Sequence, residues 1–225
     1  MKQFIISQLL KADLVEIDRQ LEETGFKDMS SMLLVKQVFL TIANVVDFEL
    51  TVRPLYKENR ELSTEYKKAS KEYEFAKYLR NKFIGHVKHE LTEKAIEWKP
   101  ELRYLLKRTD ERDMMFMFNL FILETAINTY VNADGSHKVF ESETDLIYPP
   151  DLKRFLVYIT FVVKSAIKYL TKLGEALGKN VEMLDPSEQK FEHWLAAGEA
   201  DFEFIKNSYN NPNAHRPPKD YLLDV

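Results

Sequence analysis

The chain reads as an all-α protein, a bundle of about six to eight helices. Three observations point there. Glycine is scarce, with 6 in 225 residues. Long runs of apolar residues recur at helical rather than alternating spacing. One of these runs keeps a heptad register over almost four repeats.

Residues 3–24 form a first amphipathic pattern, and Gly25 stands where a helix C-cap is expected. Ser30 or Ser31 is placed to cap a second helix, from Met32 to about Leu50. Leu33, Leu34, Val38, Ile42, Val45 and Val46 supply its apolar positions, and Pro54 ends the run. In the third segment Leu62, Tyr66, Ala69, Tyr73, Ala76, Arg80, Phe83 and Val87 alternate steps of four and three. Lys and Glu fill the positions between. Such a stripe requires a partner helix, from within the chain or from a second copy. Arg80 stands where a plain core would place an apolar residue.

After Pro100 a short helix is expected over Glu101–Arg108. Asp110 is placed to cap the next, which runs to about Val131. It is apolar nearly all round, as a central helix is. Residues 132–150 form a connection with a turn at Asp134-Gly135, closed by Pro149-Pro150. A small hairpin through His137–Phe140 and Asp145–Tyr148 is a further expectation. A helix from Asp151 to about Leu177 and another from Ser187 to about Asn207 would make an appended lobe. The tail from Asn210 carries three prolines and should be extended. The organisation so read is a helical core over 1–131, a connecting loop over 132–150, C-terminal helices packed on the core over 151–209, and a tail over 210–225.

Hydrophobic residues make up 45% and charged residues 30%, an ordinary globular balance. The chain has no cysteine, which removes disulfides and thiolate metal sites and agrees with a reducing compartment. The opening residues lack the pattern of a secretory signal. The longest charge-free apolar stretches, near Met114–Leu123 and Phe155–Val163, are too short to span a bilayer. A cytoplasmic protein without a membrane segment is expected. Net charge is −4, but residues 66–108 carry 12 Lys or Arg against 6 Glu, +6 against −10 for the remainder. A basic segment suits a phosphate backbone, and a helix that solvates its own charges reads the same way.

That segment holds Leu79-Arg80-Asn81-Lys82-Phe83-Ile84-Gly85-His86. Arginine grips phosphate through a fork of N–H donors. Histidine moves protons near neutral pH. Together they can cleave RNA without a metal, because the ribose 2′-hydroxyl is the nucleophile. On an unbroken helix the two lie about 9 Å apart along the axis and about 120° apart around it. A break at Gly85 or a second subunit would have to join them.

Other constellations carry less. His86 and His89 are three residues apart, but neither His-Glu-x-x-His nor Glu-x-x-His is present, so no metal or cofactor is expected. Gly174-Glu-Ala-Leu-Gly178-Lys179-Asn180 is one residue short of a phosphate-binding loop and reads better as a helix end. Asp47 and Glu49 are polar residues at the end of an apolar helix, placed either to orient Arg80 or to mark that end. His137 and His215 fall in loops without evident partners.

Arg80-Asn81-x-x-x-Gly85-His86 resembles the Arg-polar-x(3–5)-His signature of the HEPN superfamily of all-helical proteins. The resemblance covers about residues 30–130. It implies a HEPN-like core that pairs as a homodimer, with two motifs meeting in one cleft. It implies a metal-independent endoribonuclease, or a weakened relative, of a toxin–antitoxin or phage-defence system. His86 would be general base or acid, Arg80 would neutralise charge on the phosphorane, and Asn81 would orient one of them or hold a phosphate oxygen. Lys77, Lys82 and Lys88 would bind RNA, and an antitoxin protein would be a partner. The competing expectation is a non-catalytic helical protein for dimerisation or protein interaction, with the heptad stripe as its seam.

Overall fold

The computed structural model describes residues 1–85, 88–107, 111–182 and 195. Met1–Val181 form one compact unit, and the remaining residues form a second. The fold is all-α, with no strand among the described residues.

Helix α1 (Lys2–Thr24) ends at Gly25, whose φ of 67° is the left-handed turn that glycine adopts freely. Helix α2 (Met29–Val52) starts one turn earlier than the serines suggest. Asp28 is its N-cap and accepts from the Ser31 N–H, while the Ser31 hydroxyl accepts from the Asp28 N–H. This reciprocal box satisfies two orphan donors. Pro54 then turns the chain into a 3₁₀ turn over Arg53–Lys57. By length and composition α2 is apolar enough to cross a membrane. More than half of that stretch is buried, against α1 and later helices of the same unit.

The heptad segment is not one helix. It is α3 (Arg60–Lys67), α4 (Ser70–Leu79) and a π turn over Arg80–Ile84. The stripe survives the break at Lys68-Ala69. Leu62, Tyr66, Ala69, Tyr73, Ala76 and Phe83 are all buried. Their partners lie in the chain itself, on α2 and on α8 (Pro149–Gly178). The Tyr66 ring sits 5.3 Å from both Tyr73 and Tyr169 of α8. The apolar seam therefore needs no second copy to cover it.

Between them in sequence lie α5 (His89–Trp98), α6 (Leu102–Leu105) and α7 (Glu111–Asn128). The expected helix over 101–108 shrinks to four residues, and Asp110 lies outside the described residues. Burial in α7 is confined to its second half, where every residue from Leu120 to Ile127 but Ile122 is buried. The connection after it has no hairpin. A single antiparallel bridge joins Val131 to His137 around the Asp134-Gly135 turn. Side chains of α7 tie the rest down: Asn128 exchanges two hydrogen bonds with the Thr144 backbone, and Glu124 accepts from the Leu146 N–H.

Helix α8 belongs to the same compact unit as α1–α7. It packs most extensively on α1. Gly174 lies where a Cβ would collide with Gln8, and Gly178 where one would press on Phe4 at 3.4 Å. The glycines lie in the last two turns of α8, which ends at Gly178 as a helix end there requires, beside Gln8 and Phe4 of α1. The helix expected after Ser187 and the tail beyond Asn210 lie outside the described residues, Leu195 apart.

Glu65 of α3 fixes the third contact of α8. It is buried and sits 2.7 Å from Lys172 and 3.3 Å from Lys168 and Lys68. Hydrogen bonds from these lysines, Lys172 first, outweigh burial and hold its carboxyl down at about 2. A carboxyl depressed in the fold stabilises above its unfolded value of 4.5, and the contribution is lost as pH falls toward 2. Glu65→Gln should therefore lower the melting temperature at pH 7. The difference from wild type should shrink between pH 4.5 and pH 2. A gap that persists unchanged at pH 2 would show that packing, not charge, sets the effect.

Candidate functional site around the Arg80 turn

Arg80 opens the π turn, in which the Gly85 N–H donates to the Arg80 carbonyl at 2.8 Å. A π turn closes over five residues instead of four, and such turns are frequent at functional sites. Here it changes where the Arg80 side chain lies relative to the end of the motif. The guanidinium folds forward over Gly85. A Cβ built on Gly85 would stand 3.6 Å from Arg80 Nη1. The side chain thus reaches the residue next to His86, instead of pointing away around a regular helix.

Arg80 is half-buried, and its Nη1 donates to Asn81 Oδ1 at 3.0 Å. It forms no ion pair among the described residues. Neither carboxylate at the end of α2 orients it. Asp47 pairs with Lys77 at 2.7 Å. Glu49 is buried, takes both oxygens to Arg53 Nε and accepts from the Tyr56 hydroxyl. Since Tyr56 gives its one proton to Glu49, Tyr169 donates to Tyr56 at 2.9 Å. His86 itself lies outside the described residues, so its distance to Arg80 does not enter the geometry.

The expected RNA-binding lysines divide. Lys77 is held by Asp47. Lys82 Nζ lies 5.7 Å over the Tyr78 ring. Lys82 and Lys88 line a shallow cleft of about 350 Å³ with Lys94. Glu90, Glu93 and Glu97 line the same cleft, and Lys94 bonds to Glu97. The local field is mixed rather than basic, which weakens its pull on a polyanion. No group of three metal-ligating side chains occurs among the described residues.

Lys36 escapes sequence reasoning. It sits on α2, half-buried, with its ammonium 4.8 Å over the Phe83 ring of the π turn and bonded to Asn119. Burial pushes its pKa down. Its apolar neighbours in sequence conceal it. A second missed cluster is legible in retrospect. Glu124 interrupts the apolar run of α7 and is buried, with Lys99 at 2.7 Å. Burial pushes the Glu124 carboxyl up against the pull of Lys99 and Leu146. With Trp98, Asn128 and Asp145 the pair lines a cleft of about 460 Å³.

His137 has partners after all. Its Nδ1 accepts from the Val139 and Phe140 N–H groups, so Nε2 carries the proton and donates to the Ile127 carbonyl. The ring stacks on Phe140 at 5.1 Å. This is a structural imidazole that bridges α7 to its loop.

No protein-family model matches this chain, and no curated protein or solved structure matches it either. The HEPN resemblance therefore rests on its own residues.

Burial, ahead of the nearby Arg154 and Lys71 charges, lowers the pKa of His137 below its ordinary 6.5. A histidine kept neutral in the fold costs stability once the unfolded chain binds a proton, so stability should decline as pH falls below 6.5. An NMR titration should find the His137 ring neutral, with its proton on Nε2, below that pH. Protonation at or above 6.5 would show that Nδ1 does not hold the two backbone N–H groups.

Proposed function

We propose that this protein is a metal-independent endoribonuclease of the HEPN type, acting through Arg80, Asn81 and His86. The observation that carries this reading is the π turn. It leaves Arg80 without a carboxylate partner among the described residues, braced by Asn81, with its guanidinium over the residue before His86. A guanidinium neutralised by an acid could not serve a phosphate, and this one is available.

In the proposed reaction the ribose 2′-oxygen attacks the adjacent phosphorus. The P–O2′ bond forms and the P–O5′ bond breaks, leaving a 2′,3′-cyclic phosphate and a 5′-hydroxyl. His86 takes the 2′-hydroxyl proton or delivers one to the leaving oxygen. Arg80 offsets the charge on the phosphorane with paired N–H donors. The homodimer and the antitoxin partner of the toxin–antitoxin or phage-defence setting rest on the resemblance alone, because the heptad stripe that would have seamed two copies is covered within one.

Wild type and His86→Ala should be compared on a mixed RNA pool, with product ends analysed. His86→Ala should lose about 10²–10⁴ in rate, the usual worth of a positioned proton-transfer group, with its melting curve nearly unchanged. Arg80→Lys should lose most activity too, since a point charge does not reproduce the planar fork. Chelator should have no effect, because neither role calls for a metal. Equal cleavage by wild type and His86→Ala would place the chemistry elsewhere, and inactive wild type would favour a protein-interaction role.

A further inference from the structure

The π turn is gripped from outside by a lysine. Lys36 belongs to α2 and is the one basic residue of that helix, with its side chain half-buried. Its ammonium lies 4.8 Å over the ring of Phe83, the buried residue of the turn, and donates to Asn119 Oδ1 on α7. Asn119 is itself held. Its Nδ2 donates to the Met115 carbonyl at 2.8 Å, which leaves Oδ1 to accept from Lys36. One ammonium thus joins α2, α7 and the turn, and both helices pack on the turn.

A charge is costly at this position. Burial disfavours the ammonium and lowers its pKa, and Lys36 forms no ion pair among the described residues to offset that. A methionine would fill the same space without the cost. What the ammonium adds is a pair of directional ties, one to the face of Phe83 and one to Asn119. Phe83 in turn is coupled to Arg80. Both lie in one five-residue turn, closed by the Gly85 N–H donating to the Arg80 carbonyl at 2.8 Å. Regular winding is normally preferred to a π turn, so an outside contact that fixes Phe83 also fixes the wider winding.

We infer, resting on the reading of Arg80 as a phosphate ligand, that Lys36 is a positioning residue: by pinning Phe83 from α2 and α7 it holds the π turn in the form that carries the Arg80 guanidinium over Gly85. Lys36 acts through Phe83 and not on the phosphate. A guanidinium held in place before substrate arrives loses less freedom when it meets the reacting phosphate, and small displacements of such a group are expensive in rate.

Two substitutions in the full-length protein provide the test. Lys36→Met removes the charge and keeps the length; Lys36→Arg keeps a cation over the ring. Amide hydrogen exchange followed by NMR reads the turn without RNA. The Gly85 N–H should exchange about tenfold faster in Lys36→Met, about 1.4 kcal/mol of lost protection, and close to the wild-type rate in Lys36→Arg. Amides of α4 should keep their protection. On RNA, Lys36→Met should lower kcat by about tenfold or more with little change in KM, and Lys36→Arg should restore it. Gly85 exchange that Lys36→Met leaves unchanged, that Lys36→Arg fails to restore, or that rises together with the amides of α4 would overturn the inference. So would an unchanged kcat in Lys36→Met. Wild type that cleaves no RNA would instead sink the reading of Arg80, while the Gly85 result still decides whether Lys36 holds the turn.

Discussion

Helix α8 packs along α1 more extensively than any other two helices of the unit pack together, and the cover over the rest of the core depends on that contact. Gln8 lies beside Gly174, and one turn on Phe4 meets Gly178 at van der Waals range. The bare positions on α8 leave room for both side chains of α1. Helix α8 then presents Tyr169 to Tyr66, its lysines to Glu65, and Tyr158 to the Glu72 carbonyl. It thereby covers the stripe on α3 and α4. The two helices are separated by most of the unit, so their pairing closes a long loop. Loop closure costs conformational entropy, and it grows only slowly with length. Non-local closure of this kind slows folding more than it weakens the folded state.

That dependence explains what could be read from the sequence and what could not. Helix positions follow from local chemistry, so the apolar patterns and caps place α1, α2, α7 and α8 to within a few residues. Gly25 and Pro54 mark real ends. The heptad stripe correctly named the buried face of α3 and α4. What it could not name was the partner, because a stripe specifies a need for cover and not its source. Gly174 and Gly178 signal a helix end, and α8 does end at Gly178; their contacts with Gln8 and Phe4 show only when α1 is brought beside them. The same limit hid His137. Nothing in its neighbours announces that Nδ1 will accept two backbone N–H groups across a turn.

The Arg80 turn fails local prediction in another way. The pattern there continues the heptad through Phe83, yet the backbone widens into a π turn one residue after α4 ends. A regular helix would have laid Arg80 along the buried stripe, beside Ala76 and Phe83. An unpaired guanidinium buried there would carry a heavy desolvation cost. The wider turn still buries Phe83, under Lys36 of α2, while the guanidinium swings forward over Gly85. Core and charge are both accommodated, at the cost of one irregular turn. Irregularity retained beside a polar motif is where local rules are expected to yield to function.

The mixed field around that turn bears on how RNA would be held. Lys82, Lys88 and Lys94 share their cleft with Glu90, Glu93 and Glu97, and Lys77 answers Asp47. Long-range attraction of a polyanion scales with uncompensated charge, and little of it is left here. Binding would then rest on short-range contacts at Arg80 itself. A bidentate fork at one phosphate orients that phosphate well but captures RNA weakly, since most nucleic-acid affinity comes from counterion release along many contacts. Such a site would select its substrate by local geometry, such as a loop or a splayed end, more than by chain length.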